Sequence, residues 1–117
     1  MEVWVNPACS KCHAATAALD EAGVSYTVRR YLDDPPTVDE LQAVLGRLGV
    51  EPWHIARDRE AREAGIDLPR DDAHRADWVA AMVAHPRVIQ RPIITADDGT
   101  TVVGRDDPSL QRVIEAG

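Results

Sequence analysis

Strand, helix and strand signals follow one another between Val3 and Tyr31, and that order limits the chain to few architectures. Val3 to Val5 is a short apolar run that reads as a strand. Ser10 is placed to cap the helix behind it, with apolar positions at Ala14, Ala15, Ala18, Leu19 and Ala22. Gly23 fits the C-terminal stop of that helix. The segment VSYTVRRY, residues 24–31, is rich in β-branched and aromatic side chains and predicts a second strand. Two strands joined through a helix over so short a span should run parallel.

The segment DDPPT then breaks the pattern, and Thr37 with Glu40 three residues later forms a capping box. Val38, Leu41, Val44, Leu45 and Leu48 recur at helical spacing. Residues 50–72 are less regular and predict short helices separated by Pro52, Gly65 and Pro69. Helix resumes at 73–84, where Trp78, Val79, Met82 and Val83 share a face. Ile93–Thr95 and Thr101–Val103 read as strands turned by Asp98-Gly99. Asp107 before Pro108 reads as an N-cap and first turn, and Leu110, Val113 and Ile114 face the core from the last helix. The order β-α-β, helical block, β-β-α is an α/β arrangement of the thioredoxin/glutaredoxin-like kind with a mixed sheet. We expect one such domain over residues 1–117, with a helical insertion at about 35–90. A chain of this length buries roughly two thirds of its unfolded surface, enough for one core.

Charge narrows the function. The formal net charge is −7, and no block of basic residues occurs. A nucleic-acid surface needs a basic face, so none is expected. Lys11 is the only lysine; the remaining basic side chains are arginines. A few of these gathered in one pocket would still make a local anion site, which net charge does not forbid. The opening MEVWVNP has neither a basic n-region nor an apolar h-region, and no run of 18 apolar residues appears. The expectation is therefore a cytoplasmic protein that does not enter a membrane. In a reducing compartment a C-x-x-C pair points to redox chemistry before structural bridging.

That pair lies in NPACSKCHAAT, residues 6–16. A C-x-x-C after a strand and at the start of a helix sits where the helix end carries free N–H groups and partial positive charge, both of which stabilise a thiolate. Cys9 should be exposed just before the first turn and act as nucleophile, with Lys11 adding a nearby cation. Cys12, less exposed, is three residues on and placed to attack a Cys9 adduct as resolving thiol. Three rival readings stand beside this one. The two thiols are simply buried and inert. Alternatively, Cys9-Ser10-Lys11-Cys12-His13 is a C-x-x-C-H haem tether with Met82 or His85 as second axial ligand, although no export signal accompanies it. Zinc finds no ligand spacing among His54, His74 and His85, and no metal is expected. His13 reads most simply as an exposed helix residue.

NPACSKC, YLDDPPTVDEL (31–41) and HPRVIQRPII (85–94), in this order, resemble the arsenate reductases of the glutaredoxin-like kind. Related members are small thiol proteins and a redox-sensing transcription regulator. The similarity runs over residues 2–115. It implies a thioredoxin-like fold with a helical insertion and one catalytic cysteine, which falls on Cys9. The family's three oxyanion-holding arginines match Arg57 in HIARD, Arg91 in QRPII and Arg105 in VGRDDP. The resemblance also makes Pro92 a cis proline beside the thiol. Guanidinium forks suit a tetrahedral oxyanion such as arsenate. Asn6 and Ser10 would orient the loop or donate to the oxyanion; turn former and helix cap are equally good readings.

Two departures bear on mechanism. Val5 stands where such reductases often carry a histidine, which leaves thiolate activation to the helix end and the arginines. Cys12 marks relatives that form an internal disulfide. In one mechanism Cys9 works alone and glutathione or another small thiol completes the cycle. In the other, Cys12 resolves the Cys9 intermediate, helped by its proximity, and a glutaredoxin or thioredoxin recycles the disulfide. No bound cofactor is expected, and the chain is expected to be a monomer. Arsenate reduction is the first functional reading. A general thiol-disulfide oxidoreductase is the second, and a non-catalytic redox sensor that binds the transcription machinery is the third.

Overall fold

In the computed structural model, which describes residues 1–117, β1 (Glu2–Val5) lies inside a four-stranded sheet. It pairs in parallel with β2 (Thr27–Arg30), Val3 opposite Val28, and antiparallel with β3 (Ile93–Thr95), Trp4 opposite Ile93. β4 (Thr101–Val103) pairs antiparallel with β3, so the strand order is β2-β1-β3-β4. Helix α1 (Ser10–Glu21) connects the parallel pair. This is the mixed-sheet, thioredoxin-like topology expected from the order of elements.

The chain divides into two compact units, Met1–Asp34 with Arg91–Gly117, and Pro35–Gln90. In the first, Val3, Val5, Ile94 and Val102 form one face of the sheet. Ala15 and Leu19 of α1 cover that face, together with Leu110 and Val113 of the last helix. Burial of each large aliphatic side chain contributes about 1.5–3 kcal/mol, and Cys12 is part of the same cluster. On the other face the Arg29 guanidinium lies 5.6 Å from the Trp4 ring centroid.

β2 is shorter than the eight residues the composition predicts, and the helix before it explains why. Gly23 adopts φ +71°, and the N–H of Val24 turns back to the Leu19 carbonyl at 3.1 Å. Val24 thus closes α1 and joins no sheet. Beyond Arg30 the chain turns, with the N–H groups of Asp33 and Asp34 both donating to the Arg30 carbonyl.

The second unit is helical. Its α2 (Val38–Leu48) starts at the expected capping box: the Thr37 hydroxyl accepts from Glu40 N–H, and the Glu40 carboxylate accepts from Thr37 N–H. Residues 50–72 contain a 3-10 turn at Pro52–Ile55 and the short α3 (Asp58–Glu63). A second 3-10 turn (Asp72–His74) leads into α4 (Arg75–Ala84), which packs on α2. Met82 and Trp78 are buried there, and Trp78 Nε1–H donates to the Pro69 carbonyl at 2.9 Å.

Two caps fall one residue before the predicted place. Cys9, not Ser10, is the N-cap of α1. Asp106, not Asp107, caps α5 (Asp107–Ala116), its carboxylate accepting from Ser109 N–H at 2.8 Å. Asp106 wins because its carboxylate reaches the amide of the third helical residue, while Asp107 already has helical backbone.

Candidate active site

The link between β1 and α1 folds on its own asparagine. Asn6 Oδ1 accepts from Ala8 N–H at 3.0 Å, and the Asn6 carbonyl accepts from Cys9 N–H at 3.0 Å. Side-chain-to-backbone closure of this kind is what asparagine supplies in turns. It leaves Cys9 with extended backbone at the mouth of α1 and half-buried. His13 tightens the same loop from the helix side: its Nε2 bonds the Pro7 carbonyl. Ser10 is exposed on the first turn.

The helix end then acts on sulfur. Cys9 is the N-cap of α1 without a side-chain cap hydrogen bond. Burial alone would push its thiol up, but the Cys12 N–H, the Arg91 side chain, the Lys11 N–H and the Cys12 thiol outweigh that and bring it down to about 6. Cys9 is therefore mostly thiolate at neutral pH, the nucleophilic form. Cys12 goes the other way. Its burial pushes it up to about 11; the Asn6 N–H opposes this, while the Cys9 charge and the hydrogen bond to Cys9 add to it. Two thiols in contact thus have separated roles, one ionised and one holding its proton.

Arg91 approaches from the start of β3. The Arg91–Pro92 peptide is cis, and Pro92 is buried. The Pro92 carbonyl accepts from Gly104 N–H at 2.9 Å, and the Arg91 carbonyl accepts from Arg105 Nη1 at 2.7 Å. A Cβ at Gly104 would lie 2.7 Å from Ile94 Cδ1 and 3.4 Å from Pro92 Cγ, so the buried Ile94 side chain would have to shift to admit one. One unit therefore brings Asn6, Cys9, Ser10, Cys12, Arg91, Pro92 and Arg105 together on three adjoining segments. Arg57 belongs to the other unit, where Glu60 and Gln90 hold its guanidinium, Gln90 Oε1 at 2.7 Å. No group of three or more His, Cys, Asp or Glu side chains is placed to hold a metal ion, and no helix is long and apolar enough to cross a membrane.

Residues 4–113 match the family model described as the ArsC family. The chain belongs to the ArsC family. An arsenate reductase of Neisseria meningitidis serogroup A is 32% identical over 117 residues, covering 97% of each chain. A protein of Streptomyces viridochromogenes, described as an uncharacterized protein in the glnII region, is 55% identical over 114 residues, covering 95% of this chain and 96% of that one. Among solved structures, an arsenate reductase from Vibrio cholerae superposes with a TM-score of 0.74 at 29% identity, over 100% of this chain and 98% of that one. In this ArsC chain, two contacts lay beyond sequence reasoning. The His13–Pro7 bond joins residues six apart, and the Arg105–Arg91 carbonyl bond joins residues fourteen apart. Neither has a spacing signature.

Proposed function

We propose that the chain is a thiol-dependent arsenate reductase acting as one thioredoxin-like domain in the cytoplasm, with Cys9 as nucleophile and Cys12 as resolving thiol. The observation that carries the reading is the Arg91 side chain hydrogen-bonded to a Cys9 thiol that is brought down to about 6. A guanidinium beside a thiolate serves two ends: it holds the sulfur ionised and offers paired N–H donors to an oxyanion. Arg105 keeps further donors after its bond to the Arg91 carbonyl, since a guanidinium has five N–H groups. Arg57 is carried as the third arginine on its sequence match alone.

The chemistry runs in two displacements. The Cys9 thiolate attacks arsenic; an S–As bond forms, and one oxygen leaves, protonated, as water. Cys9 is then no longer charged, and the two influences of Cys9 that raise the Cys12 pKa disappear. Cys12 loses its proton to a departing arsenic oxygen, and its sulfur attacks Cys9. The S–S bond forms, the S–As bond breaks, and its electron pair stays on arsenic, which leaves as arsenite. Two molecules of glutathione or another small thiol, or one glutaredoxin or thioredoxin dithiol, return the disulfide to two thiols.

Arsenate-dependent turnover with each reductant tests this, comparing wild type with Cys9→Ser, Cys12→Ser, Arg91→Ala and Arg57→Ala. Cys9→Ser should abolish turnover, and the two arginine variants should raise KM for arsenate. If Cys12→Ser keeps full turnover with glutathione, the single-cysteine route replaces the internal disulfide. A protein inert to arsenate but active on disulfides would favour the general oxidoreductase, the reading that the Cys9–Cys12 contact supports second best.

A further inference from the structure

His13 closes the string Cys9-Ser10-Lys11-Cys12-His13 but takes no part in the proposed displacements. Helix stability gives no reason for it. Histidine forms helix less readily than alanine, and the positive end of a helix favours acids over cations. Its contacts lie instead in the loop before the helix. The His13 N–H donates to the Cys9 carbonyl at 3.2 Å, and the ring Nε2 bonds the Pro7 carbonyl. A carbonyl only accepts, so Nε2 carries a hydrogen and donates it. From the other end of the loop, Asn6 Oδ1 accepts from Ala8 N–H at 3.0 Å. The Pro7 carbonyl and the Ala8 N–H are the two polar groups of one peptide. Side chains from before and after the thiol thus grip both edges of that peptide, which cannot rotate without breaking a bond.

We infer that His13 is a positioning residue: with Asn6 it clamps the Pro7–Ala8 peptide and so holds the Cys9 sulfur over the first amides of α1. The inference rests on the reading of Cys9 as nucleophile and adds the residue that aims it. The next peptide follows directly, its Cys9 N–H bonded to the Asn6 carbonyl at 3.0 Å. Cys9 then has the extended backbone of an N-cap, φ −91° and ψ 123°. Burial works against a charged sulfur here; the Cys12 N–H, the Arg91 side chain and the Lys11 N–H outweigh it. Each of these donors needs the sulfur within hydrogen-bond range. Rotation of the clamped peptide would swing the Cys9 Cα–Cβ bond and carry the sulfur away from them. Nε2 donates both in the neutral Nε2–H tautomer and in the cation, so the clamp does not depend on the charge of the ring.

Alkylation of Cys9 by iodoacetamide in the full, reduced chain tests this. Lys11 lies between the two cysteines, so tryptic cleavage separates them and the label is assigned to Cys9. His13→Ala should slow the reaction about threefold at pH 5 and move its midpoint up by about half a unit, the size of one exposed hydrogen bond. Alanine is the better helix former, so a weakened helix does not produce this result. His13→Gln, whose amide N–H₂ replaces Nε2–H without a charge, should restore most of the rate. The difference between wild type and His13→Ala should persist in 1 M NaCl, where charge effects through solvent are screened beyond about 3 Å. Asn6→Ala should match His13→Ala, and the double variant should be little slower than either, because both side chains hold one peptide.

An unchanged midpoint in His13→Ala would overturn the inference. So would a His13→Gln protein that behaves like His13→Ala, a difference that salt erases, or strictly additive effects of the Asn6 and His13 variants. Arsenate turnover is read separately. Its absence in wild type would remove the arsenate reading, while the alkylation series still decides whether the clamp exists.

Discussion

Arg105 Nη1 donates to the Arg91 carbonyl at 2.7 Å and so fixes the peptide from which the Arg91 side chain reaches Cys9. The residue that touches sulfur is held by one fourteen positions later, on the far side of β4. A hydrogen bond from a charged donor to a half-buried carbonyl contributes about 1.5–3 kcal/mol. Loss of Arg105 should therefore be felt at the thiol. Arg105→Ala is expected to raise the Cys9 pKa and to lower kcat/KM for arsenate about tenfold. Arg105→Lys, which keeps one N–H donor, should recover part of the pKa shift. Alkylation rate against pH reads the first effect, and steady-state kinetics the second.

The opposite shifts of the two thiols predict an asymmetric response to substitution. Cys9→Ala removes both the negative charge and the hydrogen bond that push Cys12 up, so the Cys12 pKa should fall from about 11. It should stay above the ordinary thiol value, because burial is the largest influence on it and is untouched. Ultraviolet titration of the single remaining thiol measures this. A Cys12 pKa unchanged from wild type would show that the two sulfurs do not interact.

A methyl group at Gly104 would crowd buried side chains. Gly104→Ala places a Cβ 2.7 Å from the end of the fully buried Ile94 and 3.2 Å from Leu110 Cδ2. Overpacking of this kind costs about 1–3 kcal/mol. Urea unfolding should show that loss as a lower midpoint with an unchanged slope.

Thr37→Ala in the second unit should cost about 1 kcal/mol, since it removes one half of a reciprocal cap in which the other half is the Glu40 carboxylate. Thr37→Ser should cost little, because the accepting oxygen is kept. Thermal unfolding of the three proteins orders them.

Local chemistry was legible in the sequence wherever one residue type decides the structure. Ile93–Thr95 and Thr101–Val103 form strands over the stretches that their β-branched runs mark. The Thr37–Glu40 cap closes as its spacing requires. Ends of elements were less legible, because competing backbone bonds set them. Val24 has a strand-forming side chain, yet its N–H is taken by Leu19. Ser10 is a good cap residue, yet the chain bends one position earlier, and the cap is the reactive cysteine itself. In the site, the C-x-x-C position foretold an acidic Cys9 through the helix end. The same position foretold that Cys12 would be the less exposed thiol; that its pKa is pushed to about 11 depends on burial in the cluster with Val3, Leu19 and Ile94, which no local pattern encodes.

The pH dependence of Cys9 alkylation tests the central claim most directly, namely that helix amides and Arg91 hold this sulfur ionised at neutral pH. Iodoacetamide reaction of the reduced protein, mapped to the Cys9 peptide, should rise through a midpoint near 6 and be almost flat above neutrality. Arg91→Ala removes a donor and a positive charge, so its midpoint should move up by about one unit or more. A wild-type midpoint near the free-thiol value of about 8.5, or one that ignores Arg91→Ala, would contradict the account.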